Sequence, residues 1–226
     1  MGIGKNIDAI KQRINRAALR SGRDPSEVKL VAVTKNVAVD KIQEAVDSGE
    51  YAFGENRVQE LLTKHHALPR EVEWHFIGHL QRNKVAKVVD VVKLIHSLDR
   101  WSLAKRIDGL AKRQNLTCDA LVQVNVAGET SKFGLAPQEV EGFIREVREL
   151  TGVRVKGLMT IAPYTDNPER VRPVFRELRL ISDRIRQTVK DVDMDYLSMG
   201  MTNDFTVAIE EGANIIRVGT AIFGAR

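Results

Sequence analysis

A chain of 226 residues that is 43% apolar and 29% charged can bury a substantial core, which excludes a disordered or fibrous polymer. No apolar run approaches membrane-spanning length, and the lone cysteine, Cys118, excludes an internal disulfide and suits a reducing compartment. The net charge of +5 arises from basic residues dispersed among acids, so charge alone names no partner.

The N-terminus carries Lys5, Asp8, Lys11, Arg13, Arg16 and Arg20 and lacks the uninterrupted apolar segment of a secretory signal, so the expected location is the cytoplasm. Ile7, Ile10 and Ile14 recur at helical spacing, with Asn6 placed to cap. Leu30-Val31-Ala32-Val33-Thr34-Lys35 reads as a buried strand that delivers a lysine to its end. Such a lysine is either a snorkelling surface charge or a nucleophile.

The alternation then repeats. Asp40 to Ser48 reads as a helix stopped by Gly49, Tyr51 to Phe53 as a short strand running into Gly54-Glu55-Asn56, and Val58, Leu61 and Leu62 as the next helix. Trp74 to Ile77 is a third strand, opening into Gly78-His79-Leu80-Gln81-Arg82-Asn83 before a helix around Val85 to Val89. Leu94 to Ser97 is a fourth strand, followed by a helix from Trp101 to Gln114. Ala120 to Val126 is the fifth, a loop from Ala127 to Gly134 follows, and Pro137 opens a helix faced by Val140, Phe143, Ile144 and Val147.

Val153 to Met159 is the sixth strand, and Pro163 to Pro168 links it to a long helix bearing Arg170, Arg172, Arg176, Arg179, Arg184 and Arg186. Glu169, Glu177, Asp183 and Asp191 lie among these arginines, and no nucleic-acid motif accompanies them, so nucleic acid is not an expected partner. Asp195 to Met199, a short helix from Phe205 to Glu211, and Asn214 to Val218 complete the chain.

Eight strands alternating with helices, without a break in composition, predict a single (β/α)8 TIM barrel over residues 1–226. A doubly wound open sheet is the alternative, but no Gly-rich dinucleotide fingerprint follows the first strand. The leading helix would then cover the barrel's bottom or its seam.

Barrels place chemistry at strand exits. The exits here carry Lys35, Asn56, His79, Ser97, Asn125, Thr160, Ser198 and Arg217. Ser198-Met199-Gly200-Met201-Thr202 and Arg217-Val218-Gly219-Thr220 occupy the two loops that commonly bind phosphate in this fold, although the glycines could merely make tight turns. In a closed barrel Lys35 would stand beside that pole, which suggests a phosphorylated carbonyl ligand held as a Schiff base. A sugar-phosphate aldolase and a pyridoxal phosphate (PLP) site both satisfy this.

Alternation puts Arg217 on the side of Ile215 and Gly219. Facing inward, its guanidinium could meet the pyridine nitrogen of PLP and keep it unprotonated; facing outward, it would be a surface charge. Strand five divides similarly, with Leu121, Gln123 and Asn125 on one side, while His75 and His79 could border a cofactor. The five histidines form no plausible metal-ligand set.

The segments Val33-Thr34-Lys35, Phe53-Gly54-Glu55-Asn56, Trp74 to Lys84, Gln123-Val124-Asn125, Ser131-Lys132-Phe133-Gly134, Leu158-Met159-Thr160, Ser198-Met199-Gly200-Met201 and Arg217-Val218-Gly219-Thr220 closely resemble the PLP homeostasis protein family. The resemblance implies a barrel like the N-terminal domain of alanine racemase with PLP on Lys35. It further implies phosphate contacts from Ser198, Gly219 and Thr220, Arg217 at the pyridine nitrogen, and Asn56, His79 and Met199 as lining.

It implies a carrier or regulator in vitamin B6 homeostasis without an established reaction, with PLP-dependent apo-enzymes as recipients. An amino-acid racemase or decarboxylase of the same barrel type is the enzymatic alternative. With Arg226 just past the eighth strand, the β-domain that follows in alanine racemases is not expected, nor is its second acid/base tyrosine. Tyr164 is the only tyrosine placed near the rim. A rim without a covering domain suits a monomer.

Overall fold

The structure, a computed structural model, describes residues 2–224. Its eight strands are β1 (Lys29–Val33), β2 (Ala52–Glu55), β3 (Glu73–Phe76), β4 (Leu94–Leu98), β5 (Cys118–Gln123), β6 (Val153–Met159), β7 (Tyr196–Ser198) and β8 (Ile215–Val218). They close into a barrel in chain order, each parallel to its neighbours. The helices are α1 (Ile3–Arg20), α2 (Val39–Asp47), α3 (Val58–Ala67), α4 (Trp101–Arg113), α5 (Val140–Val147), α6 (Arg172–Thr188), α7 (Phe205–Glu210) and α8 (Thr220–Phe223). The (β/α)8 expectation is therefore met, and the open sheet is not.

The apolar residues divide into two layers. Val31, Ala52, Leu94, Leu121, Met159 and Ile215 form a small cluster inside the barrel, whereas a much larger cluster joins the outer faces of the strands to the helices. Strand alternation causes the division: Ile216 and Val218 face the helices, and Ile215 and Arg217 face inward.

The leading helix lies at the seam. Ile3, Ile7, Ile10 and Ile14 are buried, and α1 packs against α7, α8 and α2, where the ends of the barrel meet. Asn6 does not cap this helix, which starts at Ile3 with Gly2 before it. Its amide instead donates to the carbonyl of Ile222 at 2.8 Å, tying α1 to α8.

Elsewhere the differences are local. The helix expected around Val85 is a 3-10 segment, Arg82–Lys87, anchored by buried Val85. β5 ends at Gln123, because Asn125 turns to brace the following loop through its amide and the Glu129 backbone. The arginine-bearing helix begins with a 3-10 turn, Pro168–Val171, and four of its arginines are paired: Arg172 reaches Glu169, Glu210 and Glu211, Arg176 reaches Glu211, Arg179 reaches Asp183 and Glu211, and Arg186 reaches Asp183. Among the described residues no helix is long and apolar enough to cross a membrane.

Candidate functional site

β1 leaves the barrel through Thr34, Lys35 and Asn36, and that turn is gripped from outside. The Thr34 hydroxyl donates to Glu55 Oε1 at 2.6 Å, and Lys64 of α3 donates to the Thr34 carbonyl at 2.8 Å. Lys64 also reaches Glu55 Oε1 at 2.6 Å and Glu60 Oε2 at 3.1 Å, so each of its three ammonium protons has an acceptor. Glu60 Oε2 accepts the Asn36 amide at 2.9 Å, holding Asn36 in the left-handed region at φ 55°. Burial pushes the Glu60 carboxyl up, but the Asn36 amide and Lys64 outweigh it and hold its pKa below the ordinary value.

Lys35 itself is half-buried at the mouth. Alternation continues it on the face that Val31 and Val33 present to the interior, and Val31 lies in register with Arg217. Residues 55, 60 and 64 were invisible as site residues in the sequence. Their signal is a buried charge on each of two neighbouring elements, which only the fold reveals.

Arg217 points inward. It is 4% exposed, and its Nη1 and Nη2 donate to Ser198 Oγ at 2.6 Å and the Thr160 carbonyl at 2.9 Å. Burial lowers its pKa to about 10, opposed only by Asp204, with no carboxylate in hydrogen-bond contact. Asp204 is itself buried, which raises its pKa although the Met201 amide binds it. A cation held by neutral groups keeps its field available to a ligand.

A pocket of about 460 Å³ opens over this arginine, lined by Val33, Tyr164, Thr202, Asp204, Gly219 and Thr220 among others. The structure thus brings Arg217, Gly219 and Thr220 together as expected. Gly200, at φ +93°, makes the β7 exit possible, since a Cβ there would lie 2.6 Å from that of Ala208.

The other expected residues are distributed differently. Asn56 and His79 line a separate depression of about 230 Å³ with Arg57, Gln81 and Lys84. Gly78 permits this, because a Cβ would strike the Asn56 carbonyl at 2.3 Å. Asn56 Oδ1 is buried there without a hydrogen-bond partner, and the His79 ring stacks on Phe133 with centroids 3.9 Å apart.

Met199, expected as lining, is fully buried in the layer between barrel and helices. Ser198 is also fully buried, and its hydroxyl serves Arg217 and His96. His75, expected at the cofactor's border, sits inside the barrel 1% exposed. Tyr164 reaches the pocket wall, but its hydroxyl binds Asp166 at 3.1 Å.

These features define a class: parallel barrels with a lysine at the exit of the first strand and an inward arginine on the last. The family model for the N-terminal domain of alanine racemase matches residues 6–226. A pyridoxal phosphate homeostasis protein of Aquifex aeolicus is 45% identical over 100% of this chain and 99% of its own. The chain belongs to the pyridoxal phosphate homeostasis protein family, within the alanine racemase N-terminal-domain fold.

PipY of Synechococcus elongatus PCC7942, solved with PLP bound, superposes with a TM-score of 0.85 at 34% identity, covering 98% of this chain and 100% of that one. An alanine racemase of Clostridium difficile 630 superposes at 0.78, with 14% identity over 100% of this chain and 57% of that one, a likeness of fold alone.

Proposed function

We propose that this chain binds pyridoxal 5'-phosphate as a Schiff base on Lys35 and serves vitamin B6 homeostasis as a carrier or regulator of that cofactor. The observation that carries the reading is Arg217, a buried cation backed only by neutral groups and aimed into a pocket beside Gly219 and Thr220. The donor set fits the group. Arg217 can donate to a pyridine nitrogen, Thr220 and the backbone around Gly219 can meet a phosphate, and Lys35 supplies the amine. Asn56, whose Oδ1 lacks a partner, and His79 border the mouth on the β2 and β3 side.

When bound, PLP supplies an aldehyde for an amine and a ring that can draw electrons from it. An arginine that stays protonated donates its own hydrogen to the ring nitrogen and leaves no proton there, which damps that withdrawal. Holding and releasing the group therefore suits these residues better than racemisation. A racemase also needs an acid/base on each face, and the Tyr164 hydroxyl is engaged by Asp166. We place PLP-dependent apo-enzymes as recipients and the protein as a cytoplasmic monomer. The free, buried Cys118, whose thiol burial and Asp119 push up to about 12, fits a reducing compartment.

The test is the absorbance spectrum of the purified protein, followed by borohydride reduction and peptide mass mapping. A yellow protein with a reduced pyridoxyl group on Lys35 is expected. Lys35→Ala should abolish covalent attachment and retain non-covalent PLP affinity. Protein that stays colourless and unmodified after PLP is added overturns the reading and favours an aldolase that traps a sugar phosphate. Turnover of L- or D-amino acids above free PLP would favour the racemase.

A further inference from the structure

The barrel interior contains a chain of buried polar groups that the pocket does not explain. His75 Nδ1 lies 2.9 Å from His96 Nε2, His96 Nδ1 lies 2.9 Å from Ser198 Oγ, and Arg217 Nη1 lies 2.6 Å from the same oxygen. His96 and Ser198 are fully buried, His75 is 1% exposed and Arg217 4%.

The direction of every bond follows from one end. Arginine only donates, so the Ser198 oxygen accepts from it; a buried hydroxyl must also place its own proton, and the one acceptor within hydrogen-bond reach is His96 Nδ1. That nitrogen must present a lone pair, which puts the His96 proton on Nε2 and sends it toward His75 Nδ1. His75 then carries its own proton on Nε2. No hydrogen-bond partner meets that atom; the Glu73 carboxylate stands 4.0 Å away, itself bound by Lys29 at 2.7 Å. Both rings stay neutral: burial, with Lys29 adding to it, lowers the His75 pKa to about 4, and burial with His75 and Arg217 holds His96 well below its ordinary value.

We propose that Ser198, His96 and His75 are positioning residues that aim Arg217, and that the Ser198 hydroxyl acts at the pyridine end of the site rather than on the phosphate. The inference rests on the PLP reading above. Its reason is geometric: the hydroxyl has one proton, given to His96, and its buried oxygen already receives Arg217. Gly219 and Thr220 are left to serve the phosphate end. The neutral chain also explains how Arg217 is fixed without a carboxylate that would quench its charge.

Affinities for PLP and for pyridoxal, which lacks the phosphate, separate the two roles. Ser198→Ala and His96→Leu should weaken both ligands by the same factor, about tenfold, the size of one buried hydrogen bond to a charged group. Thr220→Ala should weaken PLP alone. His96→Gln, which keeps an acceptor and a donor, should recover most of the loss seen in His96→Leu. Weakening of PLP but not pyridoxal by Ser198→Ala would make the hydroxyl a phosphate contact and overturn the proposal.

A second readout needs neither ligand nor substitution. Isotope-edited imidazole NMR of the unmodified protein should find both His75 and His96 neutral and protonated on Nε2. A proton on Nδ1 of either ring would break the chain. If the wild-type protein binds neither PLP nor pyridoxal, the functional reading fails, while the tautomers still decide the hydrogen-bonded chain.

Discussion

Two buried cations flank the mouth of this barrel and are held in opposite ways. Lys64, 5% exposed, is surrounded by two carboxylates and a carbonyl that satisfy all its protons. Arg217, 4% exposed, is held by a hydroxyl and a carbonyl, with its nearest carboxylate, Asp204, outside hydrogen-bond contact. A fully compensated charge has nothing left for a ligand and can only hold its neighbours, here the turn that carries Lys35. An uncompensated one costs stability in the free protein and offers that cost back when an acceptor arrives. The two sites show which buried charge serves architecture and which serves binding.

The widest separation between them should come from deleting each charge in turn. Lys64→Met strands Glu55, which is fully buried, and is expected to cost about 3–5 kcal/mol in denaturant unfolding. Arg217→Met leaves the Thr160 carbonyl without this donor, takes one of two partners from Ser198, which keeps its bond to His96, and removes a desolvated charge, so about 1 kcal/mol or less is expected. PLP affinity should move the other way, falling far more in Arg217→Met. Equal losses of stability would break the distinction.

Acid should test the neutral chain behind Arg217. His75 has a folded pKa of about 4 against an unfolded value of 6.5, so between those values the unfolded chain takes up a proton that the native one refuses. Stability should hold above pH 6.5 and fall as pH drops toward 4, by up to about 3 kcal/mol. His75→Asn should remove the share of that slope that His75 contributes, leaving the share of His96, which is also held low. A wild-type profile already flat across the window would contradict the burial of a neutral imidazole there.

The sequence carried the barrel because short, mostly apolar runs bounded by turn residues alternate with segments of helical spacing, a local signal. It also grouped Arg217 with Ile215 on one face of its strand, since that period needs no distant contact, but which face turned inward was decided only by closure of the barrel. What it could not carry were partnerships made by closure. His96 meets Ser198 from 102 residues away, and Lys64 meets the Thr34 carbonyl across 30. Glu55 read as part of an exit loop, yet β2 extends through it and buries it completely. Ser198 read as a rim hydroxyl for the same reason: a strand end looks exposed until its neighbours close over it. Asn6 had the residue type of a cap, but α8 supplied a better acceptor.

The smallest effect lies where the compensated cluster touches the reactive turn. Glu60 is half-buried, with one oxygen shared between Lys64 and the Asn36 amide and the other 3.5 Å from Arg57. Glu60→Gln preserves its shape and can still accept one of those donors, but loses the charge. Because solvent screens this carboxylate, the expected cost is only about 0.5–1 kcal/mol. Its local consequence should be larger than its global one. Asn36 holds a left-handed φ of 55° that its amide bond to Glu60 helps to maintain, so weakening that bond should loosen the turn without unfolding the barrel. Amide hydrogen exchange at Asn36 should quicken in Glu60→Gln while exchange in β1 and β8 stays as it was. Borohydride-trapped PLP on Lys35 should accumulate more slowly, with non-covalent affinity in a Lys35→Ala background unchanged. Unaltered exchange at Asn36 would mean that Lys64 alone fixes the turn through Thr34, and that Glu60 serves only to neutralise it.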